Sequence, residues 1–505
     1  MKAKLAKLSS VFMALAMAQS AMAETFNFSA EVSDKSDTLV VFQNSQQATG
    51  FAAFDKQTNG QLSRALQANQ FEGSYNTFVE VLAPNQLSYN RVLIVGVGDA
   101  PLTKAQLTKL GGNIAGQLHS NHIADVSVAA EYFNAEQASQ IAHGISLRAY
   151  DFDKYKQQKH KDKNYTFDVS DVAATEAAYT QLEHIQSGIF LARDLTNEVP
   201  TELTPVDFVA EAKKLKKLGV KVKVLTPKQI KKLGMNALEA VGRGSVDGSR
   251  LIVAHYEGSD DAPIAIAGKG VTFDSGGYQI KTTDVIVRMK SDMAGAAAAL
   301  GTVKALAKME AKVNVVAVMG MAANMVSETA FVPGDVLTTA EGLTVEITHT
   351  DAEGRLVLTD SMWYAREYFK PSVLVDIATL TGGKYRALGT KMAGIFSESD
   401  QLVAELTRAG EAVNEPVWRL PLGYKEMLES PIADLRNTGK GGPSATTAAT
   451  FLQQFVGDTP WIHIDIAGNA LAPAAKDEVP VGGTGYGVRL LTEWVLHQHG
   501  QQLVK

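Results

Sequence analysis

Between Gly268 and Leu356 the chain twice follows an apolar run with carboxylates set among glycines and small residues. The first segment reads Gly268-Lys269-Gly270-Val271-Thr272-Phe273-Asp274-Ser275-Gly276-Gly277 and continues through Lys281, Met289 and Asp292. The second reads His349-Thr350-Asp351-Ala352-Glu353-Gly354-Arg355-Leu356. Each cluster comes after a run that reads as a buried strand, and the basic residues stand singly among the acids. Sheets flanked by helices place their sites at strand ends. This stretch therefore predicts an α/β fold with a polar site at the carboxyl ends of its strands.

The rest of the chain fits that frame. At 505 residues it is too long for one ordinary core. Its 45% hydrophobic and 20% charged residues are those of a globular enzyme. A net charge of −6 argues against a nucleic-acid partner. With no cysteine there is no disulfide, thiolate ligand or cysteine nucleophile. Any metal must then be held by oxygen and nitrogen. Lys2, Lys4 and Lys7 precede the apolar run Val11–Met17 and the small-x-small sequence Ala21-Met22-Ala23. This pattern predicts a signal peptide over 1–23 and a periplasmic or secreted protein with no membrane anchor.

Thr38–Phe42, Phe78–Leu82, Arg91–Val97 and Asp125–Ala130 read as strands, and Ala105–Leu118 and Ala135–Ile145 as helices. They define an N-terminal α/β domain over 24–172. The Lys/Asp/Tyr-rich run Tyr150–Lys163 reads as a solvated surface loop or hairpin. A connecting helix over 173–198 leads to a larger domain over 199–505. There the strand candidates are Lys221–Leu225, Leu251–His255, Ile264–Ala267, Val313–Met319, Thr344–Thr348, Val373–Ile377 and Ile462–Ile466. Helical runs at Pro227–Leu233, Ala294–Met309, Arg355–Phe369 and Ser444–Phe455 separate most of them, which implies a parallel or mixed central sheet.

Asp274, Asp292, Asp351 and Glu353 all fall where strands end or helices begin. Converging carboxylates stay ionised together only beside cations or strong donors. Divalent ions are one solution, and a pair of them can activate water and polarise a carbonyl. Each acid also has a plainer reading: Asp292 as a helix N-cap, Asp351 and Glu353 as partners of a helix dipole. Lys269, between glycines behind an apolar strand, is either a desolvated amine able to ligate or an exposed loop lysine. Lys281 is a candidate electrophile for a developing oxyanion. Arg355 is either a bidentate anion site or a charge partner of Asp351 and Glu353.

The two blocks closely resemble the leucyl aminopeptidase, or cytosol aminopeptidase, family of two-metal peptidases. Further matches lie at Asn197, Thr204-Pro205, Pro333–Leu337, Asp376–Gly382 and Asp465–Gly468. The resemblance covers roughly Ala173 to the carboxyl terminus. It implies a macro-domain-like first domain and a catalytic domain binding two divalent ions, Mn2+ or Zn2+. It implies Lys269, Asp274, Asp292, Asp351 and Glu353 as metal ligands, with Lys281 polarising the scissile carbonyl. Arg355 would hold a bicarbonate acting as general base. Met289, Ala352, Thr379 and Gly382 would line the first side-chain pocket, which suits leucine-like residues of peptides with a free N-terminus. A homohexamer is also implied.

Three features depart from the family pattern. His349 stands where asparagine is usual, at a position bordering the substrate. Tyr278-Gln279 replaces small and aliphatic residues, and a secretory signal is atypical. The rival readings are a peptide-binding protein that keeps the fold without catalysis, and a different two-metal hydrolase such as a phosphoesterase. Full retention of Lys281, Arg355 and the five ligands argues against the first. The lack of a His-rich ligand set argues against the second.

Overall fold

The computed structural model describes residues 24–33, 36–45, 50–120 and 122–500. The signal-peptide reading of 1–23 falls outside them. Two sheets dominate. The first contains β1 (Thr25–Ser29), β2 (Thr38–Gln43), β3 (Phe78–Leu82), β4 (Arg91–Gly96), β5 (Asp125–Ala129) and β6 (Asn164–Asp168). Their order is β1-β6-β5-β2-β4-β3, parallel throughout except where β3 meets β4. β2 is buried along its whole length because helices cover both faces, which explains its unbroken apolar run. β1 and β6 were not expected. Both are short and alternate polar with aromatic residues, and β6 follows directly on the charged run. That run, Tyr150–Lys163, forms no helix or strand. It is tied down at Glu198, which pairs with Lys154 at 2.7 Å and accepts from the Tyr155 hydroxyl.

The helix Val172–Asn197 leads to the second unit. Its strands are β7 (Lys221–Leu225), β8 (Arg250–Glu257), β9 (Ile264–Asp274), β10 (Asn314–Asn324), β11 (Val336–Thr338), β12 (Thr344–Glu346), β13 (Val373–Ala378), β14 (Ala393–Phe396), β15 (Val417–Arg419), β16 (Leu435–Arg436) and β17 (Trp461–Asp465). Eight form a mixed sheet ordered β15-β14-β17-β13-β9-β10-β8-β7, while β11, β12 and β16 form a small satellite sheet. The central strands β17, β13, β9 and β10 run parallel. Side chains alternate between two cores. Ile264 and Ile266 face the helices Val172–Asn197, Ala294–Lys308 and Val488–Gln498. Ala265, Ala267 and Val271 face the helix Glu353–Phe369.

One strand differs from its sequence reading in a way that matters. Ile264–Ala267 was expected to end before Gly268, leaving Lys269 and Asp274 in a loop. Instead β9 continues to Asp274, buried along nearly its whole length. The glycines do not break it; they let neighbours close in. A Cβ on Gly268 would lie 2.6 Å from the Cα of Ala296, and one on Gly270 would lie 2.3 Å from the Met321 sulfur. Glycine at such positions marks close approach of another element.

Candidate active site

The carboxyl ends of β9, β10, β13 and β17 meet the start of the helix Glu353–Phe369, and the polar residues gather there. Lys269 is 2% exposed. Its ammonium lies 2.7 Å from Asp292 Oδ2, 2.9 Å from Glu353 Oε1 and 3.0 Å from the Thr379 carbonyl. A Cβ on Gly354 would sit 2.5 Å from the Lys269 Cε, so glycine there makes room for the lysine. Asp274 terminates β9. Its Oδ1 accepts from the Gly276 amide at 2.9 Å and from Asn324 Nδ2 at 2.8 Å, and its Oδ2 lies 2.7 Å from Lys281 Nζ. Lys281 also pairs with Asp351. Asp292 accepts from the Thr379 hydroxyl at 2.7 Å. Six sequence-predicted residues thus gather in two adjacent sets, Lys269 with Asp292 and Glu353, and Lys281 with Asp274 and Asp351.

The remaining predicted residues surround it. Thr379 touches both Lys269 and Asp292. Ala352 is buried immediately before Glu353. His349 lines a pocket of about 410 Å³ together with Lys281 and Asp351, and its Nδ1 accepts from the Asp351 amide at 3.2 Å. Met289 and Gly382 reach the site through their neighbours: Met289 opens the turn leading to Asp292, and Gly382 begins the helix behind Thr379. Arg355 is buried, and its Nη1 donates to the Asn437 carbonyl at 2.5 Å.

Sequence reasoning gave no role in the site to three residues. Asn324 holds Asp274 and also donates to the Thr350 carbonyl at 3.1 Å. Asn437 accepts from the amides of Thr348 and His349 while its own carbonyl holds Arg355. Asp465 accepts from the Leu380 amide and the Thr381 hydroxyl, fastening the Thr379 loop to β17. A lone polar residue closing an apolar strand is a signal that finds Asn324 and Asp465. Asn437 carries no such signal.

The electrostatics bear on whether cations fit here. Four carboxylates face two lysines in direct contact, so negative charge is in excess. Asp274, Asp351 and Glu353 each aim an oxygen into a space where those atoms lie within 4.8 Å of one another. Glu353 Oε2 is buried without a hydrogen-bond partner, a costly state for an ionised carboxylate. Burial, with repulsion from Glu353 and Asp292, holds the Asp274 carboxyl well above the usual carboxylate range. Burial likewise pushes Asp292 up to about 6. Burial pulls the Lys269 amine down, but the charges of Asp292, Glu353 and Asp274 together outweigh it and raise its pKa. The donor set is all oxygen apart from the lysines, which suits hard or borderline divalent ions. These residues therefore fit divalent cations.

Residues 190–492 match the catalytic domain of the cytosol aminopeptidase family, and residues 38–159 match its N-terminal domain. A probable cytosol aminopeptidase of Shewanella oneidensis is 51% identical, over 97% of this chain and 100% of its own length. One from Nitrobacter winogradskyi is 43% identical over 92% and 96%. Among solved structures, a mutant of tomato leucine aminopeptidase superposes with a TM-score of 0.85 at 31% identity, covering 95% of this chain and 97% of the other. The bottromycin maturation enzyme BotP in complex with Mn superposes at 0.81 and 30% identity, covering 91% and 99%. The chain belongs to the cytosol aminopeptidase family and is an aminopeptidase, a hydrolase of peptides with the two-domain α/β fold.

These relatives correct one expectation. They are named cytosol aminopeptidases, and one of them matches this chain over 97% of its length. The periplasmic or secreted location read from the amino terminus therefore does not stand. A basic start followed by a short apolar run is a compositional pattern, which an amphipathic helix shares.

Proposed function

We propose that the chain is a two-metal exopeptidase that removes leucine-like, apolar residues from peptides with a free N-terminus in the cytosol. The observation that supports this best is the cluster of four carboxylates, three of them buried, around two lysines, with an unpartnered Glu353 oxygen among them. In this reading Lys269, Asp274, Asp292, Asp351 and Glu353 hold two ions, Mn2+ or Zn2+, and Lys269 gives up its proton to do so. When bound, the ions supply Lewis acidity toward water, the scissile carbonyl and the free α-amine.

The remaining roles belong to the chain. Burial would pull the Lys281 pKa down, but Asp274 and the other carboxylates raise it, so Lys281 stays charged. It thereby stabilises negative charge developing on the carbonyl oxygen. Arg355 keeps a buried, unpartnered Nε. A guanidinium with spare donors fits a planar anion such as bicarbonate, which would serve as general base. Met289, His349, Ala352, Thr379 and Gly382 form the substrate surface. The domain division at 24–172, 173–198 and 199–505 and a homohexamer complete the reading.

The test is hydrolysis of a leucine chromogenic amide by the full chain with manganese, with zinc and with chelator. An N-acetylated substrate and Lys281→Ala are the controls. Metal-dependent cleavage of the free-amine substrate alone, lost in Lys281→Ala, is the expected result. Absence of both turnover and bound metal would leave only a peptide-binding protein.

A further inference from the structure

The lysine that would act as electrophile and the loop bearing Asp351 belong to segments separated by about 70 residues, joined by the Lys281–Asp351 ion pair and by hydrogen bonds of Gln279 and Thr350. Gln279 occupies the turn between Gly276 and Lys281. Its backbone amide donates to the Thr350 hydroxyl at 3.0 Å. Its side-chain oxygen accepts from the Thr350 amide, and its side-chain nitrogen donates to the Thr348 carbonyl at 3.3 Å. The Thr350 hydroxyl in turn donates to the Gly276 carbonyl at 2.6 Å. Four hydrogen bonds thus join Gly276–Lys281 to Thr348–Asp351, two of them made by the Gln279 amide group.

Tyr278 and Ile280, on either side of Gln279, are exposed, and the Tyr278 hydroxyl binds elsewhere, at the Ser327 carbonyl. On the far side of the Asp351 loop, Asn437 accepts from the amides of Thr348 and His349 and donates to the His349 carbonyl. The loop is therefore held by Asn437 from the β16 end, by Asn324 at the Thr350 carbonyl and by Gln279 from the Lys281 turn. The Gln279 grip, beside the Lys281–Asp351 ion pair, ties the Asp351 loop to the Lys281 turn. Both residues also line the 410 Å³ pocket, along with Gln279 itself.

We propose that Gln279 is a positioning residue: its side-chain amide holds the Lys281 turn and the Asp351 loop in the register that lets Lys281 face the reacting carbonyl. This rests on the aminopeptidase reading for its catalytic consequence, but not for the latch. Misplacing a catalytic group by about 1 Å can cost about 100-fold in rate. The latch bears on rate more than on substrate affinity, because Lys281 acts on charge that develops in the transition state.

The experiment compares wild type with Gln279→Met, which keeps the length and removes both side-chain bonds, and with Gln279→Glu, which keeps the acceptor. Amide hydrogen exchange on the metal-free full chain is the first readout. Exchange at the Thr350 amide is expected to rise at least 10-fold in Gln279→Met and to stay near wild type in Gln279→Glu. The second readout is kcat and KM on the leucine amide with manganese. Gln279→Met is expected to lose about 10-fold or more in kcat, with KM within 2-fold and the bound-metal count unchanged. Gln279→Glu is expected to recover part of that loss. Unchanged Thr350 exchange in Gln279→Met would overturn the latch. Raised exchange with wild-type kcat would overturn the positioning role. Equal falls in melting temperature and kcat for both variants, with no recovery in Gln279→Glu, would reduce Gln279 to a structural residue. If wild type itself fails to turn over, the aminopeptidase reading fails, and the exchange comparison still decides the latch.

Discussion

Gly354 stands where a Cβ would lie 2.5 Å from the Lys269 Cε and 2.7 Å from its Nζ. Lys269 cannot swing aside cheaply, because Asp292, Glu353 and the Thr379 carbonyl hold its ammonium in a buried space. Gly354→Ala should therefore push the lysine out of its ion pairs. The expected result is a fall of about 10-fold or more in kcat and about 1–3 kcal/mol of lost stability, the range for an overpacked interior. Steady-state kinetics and urea unfolding check this. Wild-type activity in Gly354→Ala would mean that the observed lysine position is not needed.

Glu353 presents a buried oxygen with no hydrogen-bond partner, beside Lys269. If that oxygen serves a cation, divalent ions should stabilise the wild type by mass action, by about 2.7 kcal/mol when the free ion is 100-fold above its dissociation constant. Glu353→Gln should lose most of that increment. Melting temperatures with manganese, zinc and chelator measure it directly. An equal metal-induced rise in both proteins would remove Glu353 from the ligand set.

Arg355 is held by one bond to the Asn437 carbonyl and keeps a free Nε. Burial brings its guanidinium down to about 10, still charged near neutrality. Lysine would preserve the charge and lose the planar fork that fits an anion. Arg355→Lys should reduce kcat by about 100-fold, at the low end of what general acid–base catalysis contributes, with little change in bound metal. Retention of full activity would argue that no anion is used.

A pH-dependent prediction comes from the first domain. His143 is buried in the helix Ala135–Ala149, facing Gln186, Arg193 and Arg489. Burial, reinforced by the Arg489 charge, lowers its pKa to about 3. The unfolded chain takes up a proton near 6.5 and the folded chain only near 3, so between these values the unfolded state binds more protons. Stability is full above about 6.5 and falls as the pH drops, by about 2 kcal/mol between pH 7 and pH 5 for this group. His143→Gln should lose less stability than wild type over that interval, whatever its stability at pH 7. Identical losses in urea unfolding at the two pH values would contradict the assignment.

The first sheet shows how far local pattern reaches. β2 and β4 are continuous apolar runs and were legible, because strands buried on both faces need such runs. β1, β14 and β16 were not, since they have five, four and two residues and owe their structure to a neighbouring strand. β9 was cut short for a different reason. Glycine reads locally as a strand breaker, and only the helix packed against Gly268 shows that it is a point of close approach.

For the site, the sequence alone determined the residue types and their attachment: carboxylates at the ends of strands and the first turn of a helix, each beside small residues. It could do so because those signals are local. Burial and pairing were decided by the tertiary structure. Lys269 and Asp292 meet because β9 and the turn before Ala294–Lys308 converge, and that convergence buries between two carboxylates a lysine that could have been an exposed loop residue. Asn437 reaches Arg355 across more than 80 residues, and Gln279 reaches Thr350 across about 70. A hydrogen bond at that separation leaves no trace in local propensity. It exists only once the sheet has brought both segments to one edge, where the energy of each charge is set by what the fold places beside it.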